Sequence, residues 1–278
     1  MKKRWRIVLL ATALIMALLV VVVCLVLDTG GPPEPVYQGK PLRYYLRHFP
    51  QQSGARNGLA RWADPSAAEA VRTIGNDAIP TLLQWLKAKH SPIKARLADI
   101  SERLPWIHYV YWDAYERNEA GCNGFHILGP TAAAAVPQIM EIFRLKISDE
   151  SREAAIWSLG YIGSNAAAAL PLLKAGTKES SARVRGACIQ ALGDIRTSPN
   201  EAVRCLIQCL ADQDIYVRAA TAEALGKFGE AAKPAVPALV KALSDTNETV
   251  NAAAEHALKA IDPAALEKAR KEGKVRPR

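Results

Sequence analysis

The sequence predicts an all-α protein: a right-handed α-α superhelix of stacked helix pairs, preceded by one transmembrane helix. Two observations carry this. A phrase returns every 33 residues, as Ser158-Leu159-Gly160, Ala191-Leu192-Gly193 and Ala224-Leu225-Gly226, and Leu258 continues it. Fixed-period self-similarity of this length marks units that cannot bury their own apolar faces and must stack on their neighbours. The second observation is a 21-residue run without charge, Ile7 to Leu27.

The first element is that run. Rising about 1.5 Å per residue as a helix, it is long enough to cross a hydrocarbon core of about 30 Å. Lys2, Lys3, Arg4 and Arg6 precede it, while Asp28 and Glu34 are the nearest charges after it. The basic side is expected to stay in the cytoplasm, which places the repeats on the extracytoplasmic side, periplasmic or at the cell surface. The run closes on Val23-Cys24-Leu25-Val26-Leu27, with bulky residues where a signal peptidase requires small ones, so the anchor is expected to stay uncut. Residues 28–41 hold Gly30, Gly31, Pro32, Pro33, Pro35, Gly39 and Pro41, a composition that resists helix and suits an extended tether.

Residues 42–118 read as a degenerate first repeat with an aromatic insertion, and 119–265 as regular repeats. A second phrase runs beside the first, a glycine followed by small residues and a proline, beginning at Gly75, Gly129, Gly163 and Gly229. Val217, Ala220, Ala224, Leu225 and Phe228 form one helical stripe and Val236, Leu239, Val240 and Leu243 another. Gly226 and Gly229 are placed to end the first helix through a left-handed residue, and Pro234 and Pro237 to begin the second, where amides lack partners anyway. The third clear unit has Arg196 in place of the second glycine, and its Thr197-Ser198-Pro199-Asn200 turn predicts a cap from Ser198 or Asn200.

Arg152, Arg185 and Arg218 recur at the same spacing, with Asn251 in the next slot. Asp212 and Asp245 share a second slot, with Glu179 in the earlier one. One pair repeated at one unit length predicts a structural ladder in which each arginine meets a neighbouring unit's carboxylate.

The Tyr216 to Gly229 segment, followed by Ala235-Val236-Pro237-Ala238-Leu239-Val240-Lys241-Ala242-Leu243-Ser244-Asp245, resembles the short bacterial HEAT repeat of the phycobilisome-lyase type. The resemblance covers about Ala120 to Ile261 and implies a HEAT/armadillo-like solenoid. Val36 to Leu46 looks like a lead-in found before such repeats in some bacterial membrane-anchored or secreted proteins. Ankyrin and tetratricopeptide signatures are absent.

Net charge is +9. Residues 1–6 and the tail 266–278 each carry +4, leaving the body near neutral, so no nucleic-acid surface is expected. Of the five cysteines, Cys188 occupies a small core position. Cys205 and Cys209 supply only two ligands a helical turn apart, so core packing is expected for them rather than metal binding, and disulfides involving Cys122, Cys188, Cys205 or Cys209 stay open. Histidines are scattered, and neither a zinc-protease spacing, a nucleophile elbow nor a phosphate loop appears. No catalytic, cofactor or metal residue is assigned.

The aromatics concentrate where the repeat breaks, between Leu104 and Phe125. Trp106, Tyr109, Trp112 and Tyr115 are the candidate partner-binding residues, because aromatic clusters carry much interface energy. The function expected is a monomeric, non-catalytic, membrane-tethered scaffold for a protein partner. The alternative, implied only by the resemblance, is an enzyme like a phycobilin lyase.

Overall fold

The computed structural model describes Thr12, Met16 and residues 32–47, 65–102 and 112–274. The anchor segment 7–27 lies outside these except for Thr12 and Met16, both helical. The chain divides into two units, residues 1–33 with 90–114, and residues 34–89 with 115–278.

In the smaller unit the described secondary structure beyond residue 33 is one helix, Pro92–Glu102, whose first turn is held by Ser91 Oγ accepting from Lys94 N at 3.4 Å.

The larger unit opens on a hairpin where the sequence suggested an extended tether. Strands β1 (Val36–Tyr37) and β2 (Lys40–Pro41) pair antiparallel. Gln38 and Gly39 both take positive φ, 47° and 74°, the requirement of the two-residue turn that matches strand twist. Tyr37 and Tyr45 meet edge to face at 5.8 Å and fasten the hairpin to helix α1 (Leu42–Arg47).

Helix pairs follow. They are α2 (Pro65–Ile74) with α3 (Ile79–Leu86), α4 (Ala114–Leu128) with α5 (Val136–Arg144), and α6 (Asp149–Ile162) with α7 (Leu170–Gly176). Then come α8 (Ala182–Ile195) with α9 (Pro199–Cys209), α10 (Ile215–Lys227) with α11 (Val236–Ala242), and α12 (Glu248–Ile261) with α13 (Pro263–Lys271). The first helices α6, α8, α10 and α12 lie side by side in chain order. Their buried Ile156, Leu159, Ile189, Leu192, Leu225 and Leu258 line a continuous apolar layer.

The second phrase makes the turn inside a unit. Gly75, Gly129, Gly163 and Gly229 have φ of 61°, 53°, 69° and 53°, and each begins a short 3-10 helix that hands over to the second helix. The first phrase's glycine does something different from the helix stop expected of Gly226. Gly193 and Gly226 sit inside their helices, pressed against the next first helix. A Cβ on Gly193 would stand 2.9 Å from Ala224 Cβ and 3.0 Å from its Cα, and one on Gly226 3.2 Å from Ala257 Cα.

The turn after α8 also departs from expectation. Arg196 adopts a left-handed conformation without glycine, and Ser198 takes the cap position with no side-chain bond, leaving Pro199 to start the helix. The basic tail is folded in part, since Leu266 and Ala269 of α13 are buried.

Among the described residues one helical run, Asp149–Gly176, is apolar and long enough to span a bilayer, with half of its apolar window buried. The turn at Gly163 breaks it into α6, a 3-10 segment and α7, which together form one repeat.

Candidate functional site: the inter-repeat ladder and the exposed rows

Each ladder arginine joins its own unit to the next. Arg185 Nη1 donates to the carbonyls of Glu179 and Ser180, at 3.0 and 2.9 Å, in the loop that leads into its helix. Its Nε and Nη2 donate to Asp212 Oδ2 and Oδ1 at 2.8 and 2.7 Å, a two-pronged pair with the following loop. Arg218 repeats the arrangement with the carbonyls of Asp212 and Gln213 and with Asp245 at 2.8 and 2.9 Å. Arg152 reaches Glu179 at 2.7 Å and lies over the Phe143 ring, 4.6 Å from its centroid.

The carboxylates are oriented in turn. Asp212 Oδ1 accepts from Asp214 N at 2.8 Å and Asp245 Oδ1 from Asn247 N at 3.0 Å. For Asp245 the bond from Arg218 is the chief influence, and it holds the carboxyl below the usual range. For Asp212 and Glu179 burial works the other way, and the arginines Arg185 and Arg152 outweigh it, so both are also lowered. The Arg185 and Arg218 guanidinium groups are engaged on both sides, which suits them to framework, whereas Arg152 Nε is buried without a hydrogen-bond partner.

Sequence spacing did not reveal the ladder's first rung. Asn118 Nδ2 donates to the carbonyls of Trp85, Leu86 and Ala88 at 2.8, 3.1 and 3.3 Å, as the arginines do to their own loops. It stands 34 residues before Arg152, one residue out of register, which hid it. Asn251 takes the last slot, its Oδ1 buried without a hydrogen-bond partner.

Of the aromatic candidates, Trp106 and Tyr109 lie outside the described residues. Trp112 is half-buried in the smaller unit. Tyr115, in the larger one, is 44% exposed and donates to Glu119 Oε1 at 3.2 Å. Its hydroxyl pKa is raised, first by partial burial and then by Glu119. Phe125 belongs to the core. His126 stacks on Tyr161 at 4.2 Å, and burial of one side of the ring lowers its pKa, keeping it neutral near pH 7.

The cysteines separate into two kinds. Cys122 and Cys188 are buried, and desolvation raises the Cys188 thiol to about 12. Cys205 and Cys209 are half-buried on α9 rather than in the core. The Cys209 thiol, with Thr177, lowers Cys205 to about 6, and Cys209 is correspondingly raised.

One slot that changes in chemistry from unit to unit is exposed or half-exposed. Glu150, Arg183, Tyr216 and Thr249 occupy one slot at the start of successive first helices. Tyr216 is 82% exposed. Arg183 bridges back to Glu150 and Glu153, at 3.4 and 2.7 Å.

Curated 4-hydroxy-3-methylbut-2-enyl diphosphate reductases of Yersinia enterocolitica and Serratia proteamaculans are 31% and 30% identical over 94 residues, 34% of this chain. The chain spans only 29% of the length of those enzymes. Among solved structures, a designed armadillo repeat protein in complex with the peptide (KR)4 is similar at 21% identity and a TM-score of 0.44, covering 74% of this chain and 96% of that one. A computationally designed armadillo repeat protein for modular peptide recognition gives 18% and 0.43, covering 71% and 99%. The family model described as HEAT repeats matches residues 136–226 and 203–271. The helix pairs of this segment, with their buried ladder and glycine-alanine seams, are HEAT repeats.

Proposed function

We propose that the chain is a membrane-tethered HEAT-repeat scaffold that holds a protein partner on the extracytoplasmic side and catalyses no reaction itself. One observation carries the binding reading. The buried apolar positions keep their hydrophobic or small character from unit to unit, while the slot at the start of each first helix runs acid, base, aromatic, hydroxyl through Glu150, Arg183, Tyr216 and Thr249. A tyrosine left 82% exposed on a rigid helix end is an anchor of the kind that dominates protein interfaces. The partner-binding role of Trp106, Tyr109, Trp112 and Tyr115, expected from their clustering in the sequence, belongs to the same proposal. The tether rests on the uncharged run from Ile7 to Leu27 and the four basic residues before it.

The test is site-specific photocrosslinking of the full chain in its native membranes, with the reactive group at position 216 or 183. A single discrete protein adduct at both positions is expected, and Tyr216→Ala should lower the yield at 183. No adduct, or the same diffuse smear from both sites, overturns the binding role. Intact mass of the membrane fraction addresses the anchor separately. A chain beginning at residue 1 supports it, and a chain shortened past Leu27 and lost on alkaline wash rejects it.

A further inference from the structure

Cys205 and Cys209 are the described soft ligands to which the repeat framework gives no packing role. They stand one turn apart at the C-terminal end of α9, so their side chains share a face. Cys209 Sγ donates to the Cys205 carbonyl at 3.5 Å. The Thr177 hydroxyl lies 3.6 Å from Cys205 Sγ. Both residues are half-buried, unlike Cys188, which is buried.

The geometry argues against a disulfide. Cβ atoms one helical turn apart stand about 5–6 Å from each other. A disulfide needs about 3.5–4.5 Å, so closing it would unwind the last turn of α9. An ion that bridges the two sulfurs makes no such demand. Zinc in a structural site takes four ligands, and no group of three or more His, Cys, Asp or Glu that could hold a metal occurs among the described residues. Two thiolates alone suit a soft ion that accepts low coordination, and copper in its monovalent state is the first-row ion that thiolates select. Two thiolates around one monovalent ion leave a net charge of −1. Lys174 and Lys178 place ammonium groups within electrostatic reach of Cys205.

We propose that Cys205 and Cys209, on one face of the last turns of α9, form a two-sulfur site for Cu(I). The site is independent of the scaffold function, since it lies on α9, beside the end of α7 in the preceding repeat, and shares no residue with the exposed slot.

The experiment titrates the reduced full chain with Cu(I) under nitrogen, against a chromophoric Cu(I) chelator. One ion per chain held against the chelator is expected, with Cys205→Ser and Cys209→Ser each abolishing that complex and Cys24→Ser, Cys122→Ser and Cys188→Ala leaving it intact. Helical circular dichroism on each variant checks its fold. A second readout needs no variant: in the wild-type chain, bound Cu(I) should protect Cys205 and Cys209 from the alkylation that both undergo in the metal-free chain. No complex able to compete with the chelator, retention of the ion by the folded Cys205→Ser/Cys209→Ser double variant, or protection mapped to other cysteines overturns the proposal.

Discussion

At the scale of the residue, the two glycines of each repeat have different duties. Gly193 lets one helix approach the next, and a methyl there would meet Ala224 at 2.9 Å. Gly193→Ala should therefore cost about 1–3 kcal/mol through overpacking. The equivalent Gly160 has more room, its nearest Ala191 atom standing 3.5 Å from the built Cβ and the flexible Asp194 carboxylate 3.3 Å. Gly160→Ala should be neutral or stabilising by up to about 1 kcal/mol, because alanine is the better helix former. Urea denaturation of the pair of variants checks the contrast, and equal losses at the two sites would refute it. Gly163, at φ 69°, is strained by any side chain whatever the space around it. The sequence could not separate these roles, since a glycine inside a helix and one just past its end read alike until the facing helix is in place.

The ladder residues belong to the same scale. Arg185 is buried, and removing Asp212 would strand its charge, so Asp212→Ala should destabilise by about 3 kcal/mol. Replacing both partners with apolar residues of similar volume should recover most of that, measured as a double-mutant cycle. Glu179, Asp212 and Asp245 also make stability depend on pH. Their folded pKa values lie below the unfolded ones, so the stabilisation is present above the unfolded carboxylate range, about 4, and is lost as pH falls through the folded values. Thermal midpoints should fall between about pH 4 and 2, less steeply in Arg218→Met. A variant with unchanged slope would show that these carboxylates do not govern acid unfolding.

At the scale of the element, helix starts are secured unequally. Ser148, Asp214 and Asn247 accept from amides of their first turns, whereas Ser181 and Ser198 make no such bond. Asp214→Ala should cost about 1 kcal/mol and Ser198→Ala close to nothing, as chemical denaturation would report. Equal costs would contradict the assignment of caps. The stripes of apolar residues and the prolines at helix starts made the pairs legible in advance. The hairpin at 36–41 was hidden by its brevity, two residues a strand, although Gln38-Gly39 between paired residues is a turn signal of the right kind. Helix α13 was missed because its four charged side chains, Glu267, Lys268, Arg270 and Lys271, mask two buried contacts, Leu266 and Ala269.

At the scale of the larger unit, the seams from α6 to α12 are made of the same parts: a glycine against an alanine and an arginine against a loop acid, whereas Gly121 and Gly124 of α4 face Leu82 and Leu86. Contacts run between neighbours, so stability is expected to pass along the chain from repeat to repeat rather than through one shared core. Amide exchange should be slowest in α8 and α10, which have neighbours on both sides, and faster toward α12 and α13. Uniform protection from α6 to α13 would overturn that expectation. What the sequence made plain at this scale was the count and order of regular units. The binding surface was less legible, because exposed side chains answer to a partner and follow no internal period.

The grip of Arg185 and Arg218 on loop carbonyls behind and a carboxylate ahead has one more consequence. Such a joint is polarised, with a front and a back that differ, so every unit fits only in one orientation. It is also interchangeable, since Arg152 could face Asp212 as Arg185 does. The molecule can therefore lengthen or shorten by whole 33-residue modules, inserted or excised in frame, and the reach of its surface is adjustable in fixed increments.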